Sequence, residues 1–95
     1  MRRSKLEGYI DILYVLALNG QLRITDLIDK SKVNSKVMIE QLEFLLKSSL
    51  VEEKLIGKER TAFIITAKGI NVLKFFGKIE HIVPVEEEKK RMLLS

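Results

Sequence analysis

Residues 50–66 read LVEEKLIGKERTAFIIT: two strand-like runs, 50–56 and 61–66, parted by Gly-Lys-Glu-Arg. This hairpin restricts the possible folds more than any other stretch of the chain. Its second run alternates, with Phe63 and Ile65 on one face and Ala62 and Ile64 on the other, the period-2 pattern of a strand. Gly57 gives the turn its backbone freedom. A two-stranded ribbon is marginal in water by itself. The rest of the chain therefore has to supply helices that cover its apolar face.

Those helices are legible as patterns. Ser4 stands three residues before Glu7, the spacing of a capping box, and Leu6, Tyr9, Ile10, Leu13, Leu16 and Ala17 follow at the amphipathic period. The pattern predicts a first helix over 5–18, stopped by Asn19-Gly20. Residues 21–24, QLRI, are too few for a helix and suit a brief strand. Thr25 is the expected cap of a short second helix with Leu27 and Ile28 inward. After a polar break, Asn34 or Ser35 caps a third helix over 35–47.

On a wheel at about 100° per residue, Met38, Leu42, Leu45 and Leu46 of this third helix share one side. Lys36, Glu40, Glu43 and Lys47 share the other, with Val37 and Phe44 at the margin. One side packs and one is displayed. Phe44 is expected to pack under the hairpin. Thr66 caps a fourth helix, expected to run to the stop at Pro84.

With 95 residues, 46% of them hydrophobic, the chain makes one domain with one modest core. The element order is helix, strand, helix, helix, strand, strand, helix: an α+β fold, mainly α. Helices two and three joined by a tight polar turn, with a hairpin directly after, give a winged helix-turn-helix in which the hairpin is the wing. Residues 1–66 form that core, 67–84 an extended C-terminal helix and 85–95 a charged tail.

The stretch SKLEGYIDILYVLALNG, the Leu42-x-x-Leu45 spacing before SSLV, and FIITAKG together resemble the archaeal winged helix-turn-helix family of small DNA-binding transcription regulators. That family includes the small dimeric crenarchaeal winged-helix proteins. The likeness runs from about residue 4 to residue 80. Its most specific piece is Thr66-Ala67-Lys68-Gly69, where a threonine caps the last helix and a glycine lets it lie close to the wing strand. Ser49 stands where such proteins often carry glycine, a substitution that matters only if the position takes positive φ. The resemblance implies a third helix in the major groove and a wing along a neighbouring phosphate strand.

The charge pattern agrees with such a partner. Seventeen basic residues against thirteen acidic ones leave a net charge of +4, a mild bias towards polyanions. Lys58 and Arg60 at the hairpin tip can reach phosphates, and Lys30, Lys32 and Lys36 surround the start of the third helix. Arg23 can extend the strip. The candidates for base contact are Ser35, Lys36, Val37, Glu40 and Gln41. Two readings of Glu40 and Glu43 stand side by side: base contact, or ion pairs with Lys36 and Lys47 at four-residue spacing. Solvated surface is likewise the plain alternative for the wing cations.

Val72, Phe76, Ile79 and Val83 are spaced four, three, four, the rhythm of a two-helix seam. The resemblance adds that such a helix pairs with its mate in a homodimer; the alternative is that it folds back over helix one. The chain has no cysteine and one histidine, His81, which excludes disulfides and ordinary zinc sites. No glycine-rich phosphate loop or catalytic constellation emerges, so neither enzyme activity nor a cofactor is expected, and no small-molecule site is evident. No apolar run suits a membrane span, and the basic opening reads as a helix start. The expectation is a cytoplasmic, nucleoid-associated protein bound to double-stranded DNA.

Overall fold

The computed structural model describes residues 5–58 and 60–77. Along the chain these form α1 (Lys5–Asn19), β1 (Gln21–Leu22), α2 (Ile24–Ser31), α3 (Ser35–Lys47), β2 (Val51–Ile56), β3 (Arg60–Ile65) and α4 (Ala67–Phe75). The three strands make one antiparallel sheet in the order β1-β3-β2. Its register pairs Leu22 with Phe63 and Val51 with Ile65, so these apolar residues share the face turned to the helices. The core joins Leu13 and Leu16 of α1, Leu27 of α2, Met38 and Leu45 of α3, and Leu73 of α4 to Val51 and Phe63. The fold class expected of the sequence is the one observed.

Local chemistry sets the ends of the elements. Gly20, at φ +84°, closes α1 with its amide on the Leu16 carbonyl at 2.8 Å. Thr25 does not cap α2; Arg23 does. Because β1 ends at Leu22, the chain turns into the helix two residues earlier than expected, and Asp26 Oδ2 accepts the Arg23 backbone N–H at 3.3 Å. Asn34 caps α3, its Oδ1 accepting the Val37 N–H at 2.9 Å. That bond satisfies one of the helix's orphan donors. The first-helix capping residue Ser4 lies outside the described residues.

α3 ends in a paired closure. The Leu50 amide donates to the Leu45 carbonyl at 2.9 Å and the Ser49 amide to that of Leu46 at 3.1 Å, the Schellman pattern. It forces Ser49 to φ +61°, where a Cβ crowds the following carbonyl. Ser49→Gly is therefore expected to raise stability by about 0.5–1 kcal/mol, the gain being trimmed by glycine's greater freedom when unfolded. Thermal denaturation followed by circular dichroism reads this as a rise of roughly 2–8 °C. An unchanged midpoint refutes the strain.

The start of α4 is fastened to the end of α3. Thr66 Oγ1 accepts the Gly69 amide at 3.1 Å and donates to the Ser49 carbonyl at 2.7 Å. The Thr66 amide donates to the Leu50 carbonyl at 3.1 Å, and Lys68 Nζ to that of Ser48 at 3.0 Å. Gly69 is buried against the Leu50 carbonyl and the Ile65 side chain, the close approach expected of that glycine.

α4 is shorter than expected. It ends at Phe75 instead of running to Pro84, with Phe76 as C-cap and Gly77 at φ +69° donating to the Lys74 carbonyl at 3.0 Å. A left-handed glycine is a helix stop, so Val72 and Phe76 do not continue on one unbroken helix. Ile79, Val83, His81 and the tail lie outside the described residues.

Candidate nucleic-acid interface

The helix-turn-helix supplies the first half of the surface. Lys32, at φ 55°, ends α2 in the left-handed conformation with its amide on the Ile28 carbonyl at 2.9 Å. The chain then needs only Val33 and Asn34 before α3 begins. This tight reversal leaves Lys30, Lys32 and Lys36 exposed around the first turn of α3. The free amides and positive dipole end of that turn add to their field.

Of the five base-contact candidates, Ser35, Lys36 and Glu40 are exposed, whereas Val37 and Gln41 are half-buried. The last two line a groove between α3 and α1, and the Gln41 amide lies directly over Gly8. Phe44 continues the same flank. It does not pack under the wing; its ring stacks on Tyr9 of α1, centroids 4.4 Å apart and planes 19° from parallel. Val37, Gln41 and Phe44 recur at four and three residues along α3, so whichever neighbour meets one meets all. That neighbour is α1.

The opposite flank carries a residue that sequence reasoning passed over. Ile39 is 46% exposed, beside Ser35 and Glu43 on the wheel. Its position next to the charged arc was readable from its spacing to Ser35 and Glu43. Among the described residues, no ion pair joins Lys36 to Glu40 or Glu43 to Lys47. Both carboxylates and both ammonium groups stand in solvent, and the displayed face carries no net charge.

The wing supplies the second half. Gly57, at φ +72°, turns the hairpin, and Lys58 and Arg60 are exposed on either side of its tip. Arg23 is partly committed, its Nε lying 3.7 Å from Asp26 Oδ2. An exposed pair of this kind is weak, so the guanidinium can exchange it for a phosphate. No group of three or more possible metal ligands occurs among the described residues. No helix among them is long and apolar enough to cross a membrane.

Residues 2–83 match the family model described as winged helix-turn-helix. The chain belongs to the winged helix-turn-helix family. Known structures repeat the fold. NadR, solved in complex with 4-hydroxyphenylacetate, is 26% identical, with a TM-score of 0.68 over 90% of this chain and 64% of its own. RV1404 from Mycobacterium tuberculosis is 15% identical, with a TM-score of 0.66 over 82% of this chain and 60% of its own. The reduced form of MarR from E. coli is 13% identical, with a TM-score of 0.66 over 92% of this chain and 73% of its own. This winged helix-turn-helix chain thus spans less than two thirds of the NadR and RV1404 chains. No curated protein matches it. The family model shows the winged helix-turn-helix family, and the likeness to these structures shows the same fold.

Proposed function

We propose that this winged helix-turn-helix protein is a sequence-selective transcription regulator that binds double-stranded DNA as a homodimer. In this reading α3 enters the major groove and the wing lies on the phosphate backbone. One observation carries it: exposed lysines 30, 32 and 36 ring the capped start of α3, and the same small domain holds Lys58 and Arg60 at a hairpin tip. Phosphate contacts from these five, with Arg23, fix position on the duplex without reading sequence. Ser35, Lys36, Ile39 and Glu40 are exposed for base edges: lysine suits guanine, glutamate accepts from cytosine N4, and isoleucine suits a thymine methyl. Val37 and Gln41 contribute at the rim of the α1 groove. An uncharged displayed face favours discrimination over bulk attraction.

The homodimer, pairing through the segment that begins with α4, and the nucleoid location follow the likeness to small archaeal regulators. Phe75 is 85% exposed and packs edge-on against Phe76 at 5.3 Å, apolar surface of the kind that pairing removes from water.

Changing Lys58 and Arg60 together to alanine tests the mechanism. The slope of log affinity against log salt is expected to flatten by about two units, and affinity to fall alike on every duplex sequence. An unchanged slope removes the wing from the mechanism. A second reading, a protein-interaction module without DNA contact, draws on Leu55 of the wing, 70% exposed. Absence of a gel shift on mixed duplex at ~50 mM salt, where nonspecific attraction is strong, selects it. Equal affinity for all sequences instead marks a sequence-neutral chromatin protein.

A further inference from the structure

On the flank of α3 away from α1, Ser35, Ile39 and Glu43 form a row of exposed residues spaced four apart. Two of them make a pair with chemistry of its own. Ile39 keeps 46% of its surface in water, on a helix that buries Met38, Leu42 and Leu45 almost completely. A β-branched side chain is no better than average as a helix former, so helix formation does not account for isoleucine at this exposed position. Glu43 forms no ion pair among the described residues. Residues four apart on a helix have Cβ atoms about 5–6 Å apart. Every Cα–Cβ bond tilts towards the helix N-terminus, which directs the Glu43 side chain to the turn that carries Ile39. An apolar contact and an acceptor-only group thus stand side by side on the displayed surface.

The edge of a base that suits this pair must offer a hydrogen-bond donor beside an apolar substituent. In the major groove thymine has the C5 methyl, but its O4 is an acceptor that a carboxylate repels. Guanine shows only acceptors, and adenine has the N6 donor without a methyl. Cytosine has the N4 donor, and C5 is the neighbouring ring atom. We propose that Ile39 and Glu43 together read 5-methylcytosine, N4 donating to the Glu43 carboxylate while the C5 methyl packs on Ile39. The duplex is then bound more tightly when this cytosine is methylated. The inference rests on α3 lying in the major groove, the function proposed above.

The test starts from a random duplex library made with 5-methylcytosine throughout, from which the full chain selects its preferred site by gel shift. That site is then remade with each cytosine pair in turn carrying cytosine, 5-methylcytosine or thymine, the last opposite adenine. At one position 5-methylcytosine is expected to bind about three- to fourfold tighter than cytosine, the worth of one buried methyl. It is expected to exceed thymine there by about fivefold or more. Ile39→Ala is expected to erase the preference for the methyl and keep that for cytosine over thymine. Glu43→Gln is expected to do the converse, because an amide can also donate to thymine O4. Both changes are at exposed positions, so melting midpoints are expected to move little. Equal affinity for methylated and unmethylated sites, or a methyl preference that survives Ile39→Ala, overturns the pair and leaves DNA binding standing. Absence of a shift on every duplex at ~50 mM salt, where nonspecific attraction is strong, instead refutes the proposed function, and this inference with it.

Discussion

Replacing Gly69 with alanine is expected to lower stability by about 2–3 kcal/mol and the melting midpoint by roughly 10–20 °C. Helix propensity alone predicts the reverse, a gain of about 1 kcal/mol from removing a helical glycine. The structure decides the sign. A methyl group at Gly69 would press on the Leu50 carbonyl oxygen and meet Ile65 Cγ1 at 2.6 Å. Neither can yield cheaply, because the Leu50 carbonyl already accepts the Thr66 amide at 3.1 Å and Ile65 is paired across the sheet with Val51. Gly8 is the matched control. A methyl there meets only the end of the Gln41 side chain, which can swing aside, so Gly8→Ala is expected to be neutral or to gain up to about 1 kcal/mol. Chemical denaturation of the two variants side by side checks both signs. A Gly69→Ala protein as stable as the parent would mean that α4 and the wing strand are farther apart than described.

The second large effect concerns Leu45. Fully buried beneath α3, it belongs to the core shared with α1 and the sheet. Leu45→Ala keeps the helix, since alanine is the best helix former, but leaves a cavity costing about 3–4 kcal/mol. Small domains hold only about 5–10 kcal/mol in total, so roughly a third or more of the stability goes. Denaturant midpoints with an unchanged m-value are the readout. Neighbouring Phe44, 45% exposed and stacked on Tyr9, is expected to lose only about 1 kcal/mol on truncation. If the two variants lose equal amounts, the α1 flank of α3 is as much a core as its underside.

How much of this was legible in the sequence follows from which interactions are local. The hairpin, its Gly57 turn, the Asn34 and Thr66 caps and the close approach at Gly69 are written in residue type and spacing, and they stand where expected. So do Met38, Leu42 and Leu45 on the inner side of α3. What a wheel cannot supply is the identity of the neighbour. It gave Val37 and Phe44 a margin but not the α1 groove, and Gln41 gave no sign that its amide would lie over Gly8. The end of α4 turned on one glycine: the helix was expected to run to Pro84, yet Gly77 takes the left-handed conformation that closes it. Arg23 displaced Thr25 as a cap because the length of β1, set by its pairing with β3, fixes where the chain turns.

Three consecutive carbonyls, those of Ser48, Ser49 and Leu50, are all gripped by the first residues of α4. Sliding one helix past the other would have to break these bonds together, so the joint behaves as a weld and not as a hinge. Whatever is bound by the distal end of α4 is thereby geared to the far end of α3. Two such units held at a set angle would present their α3 helices like the points of a locked pair of dividers, at one fixed separation.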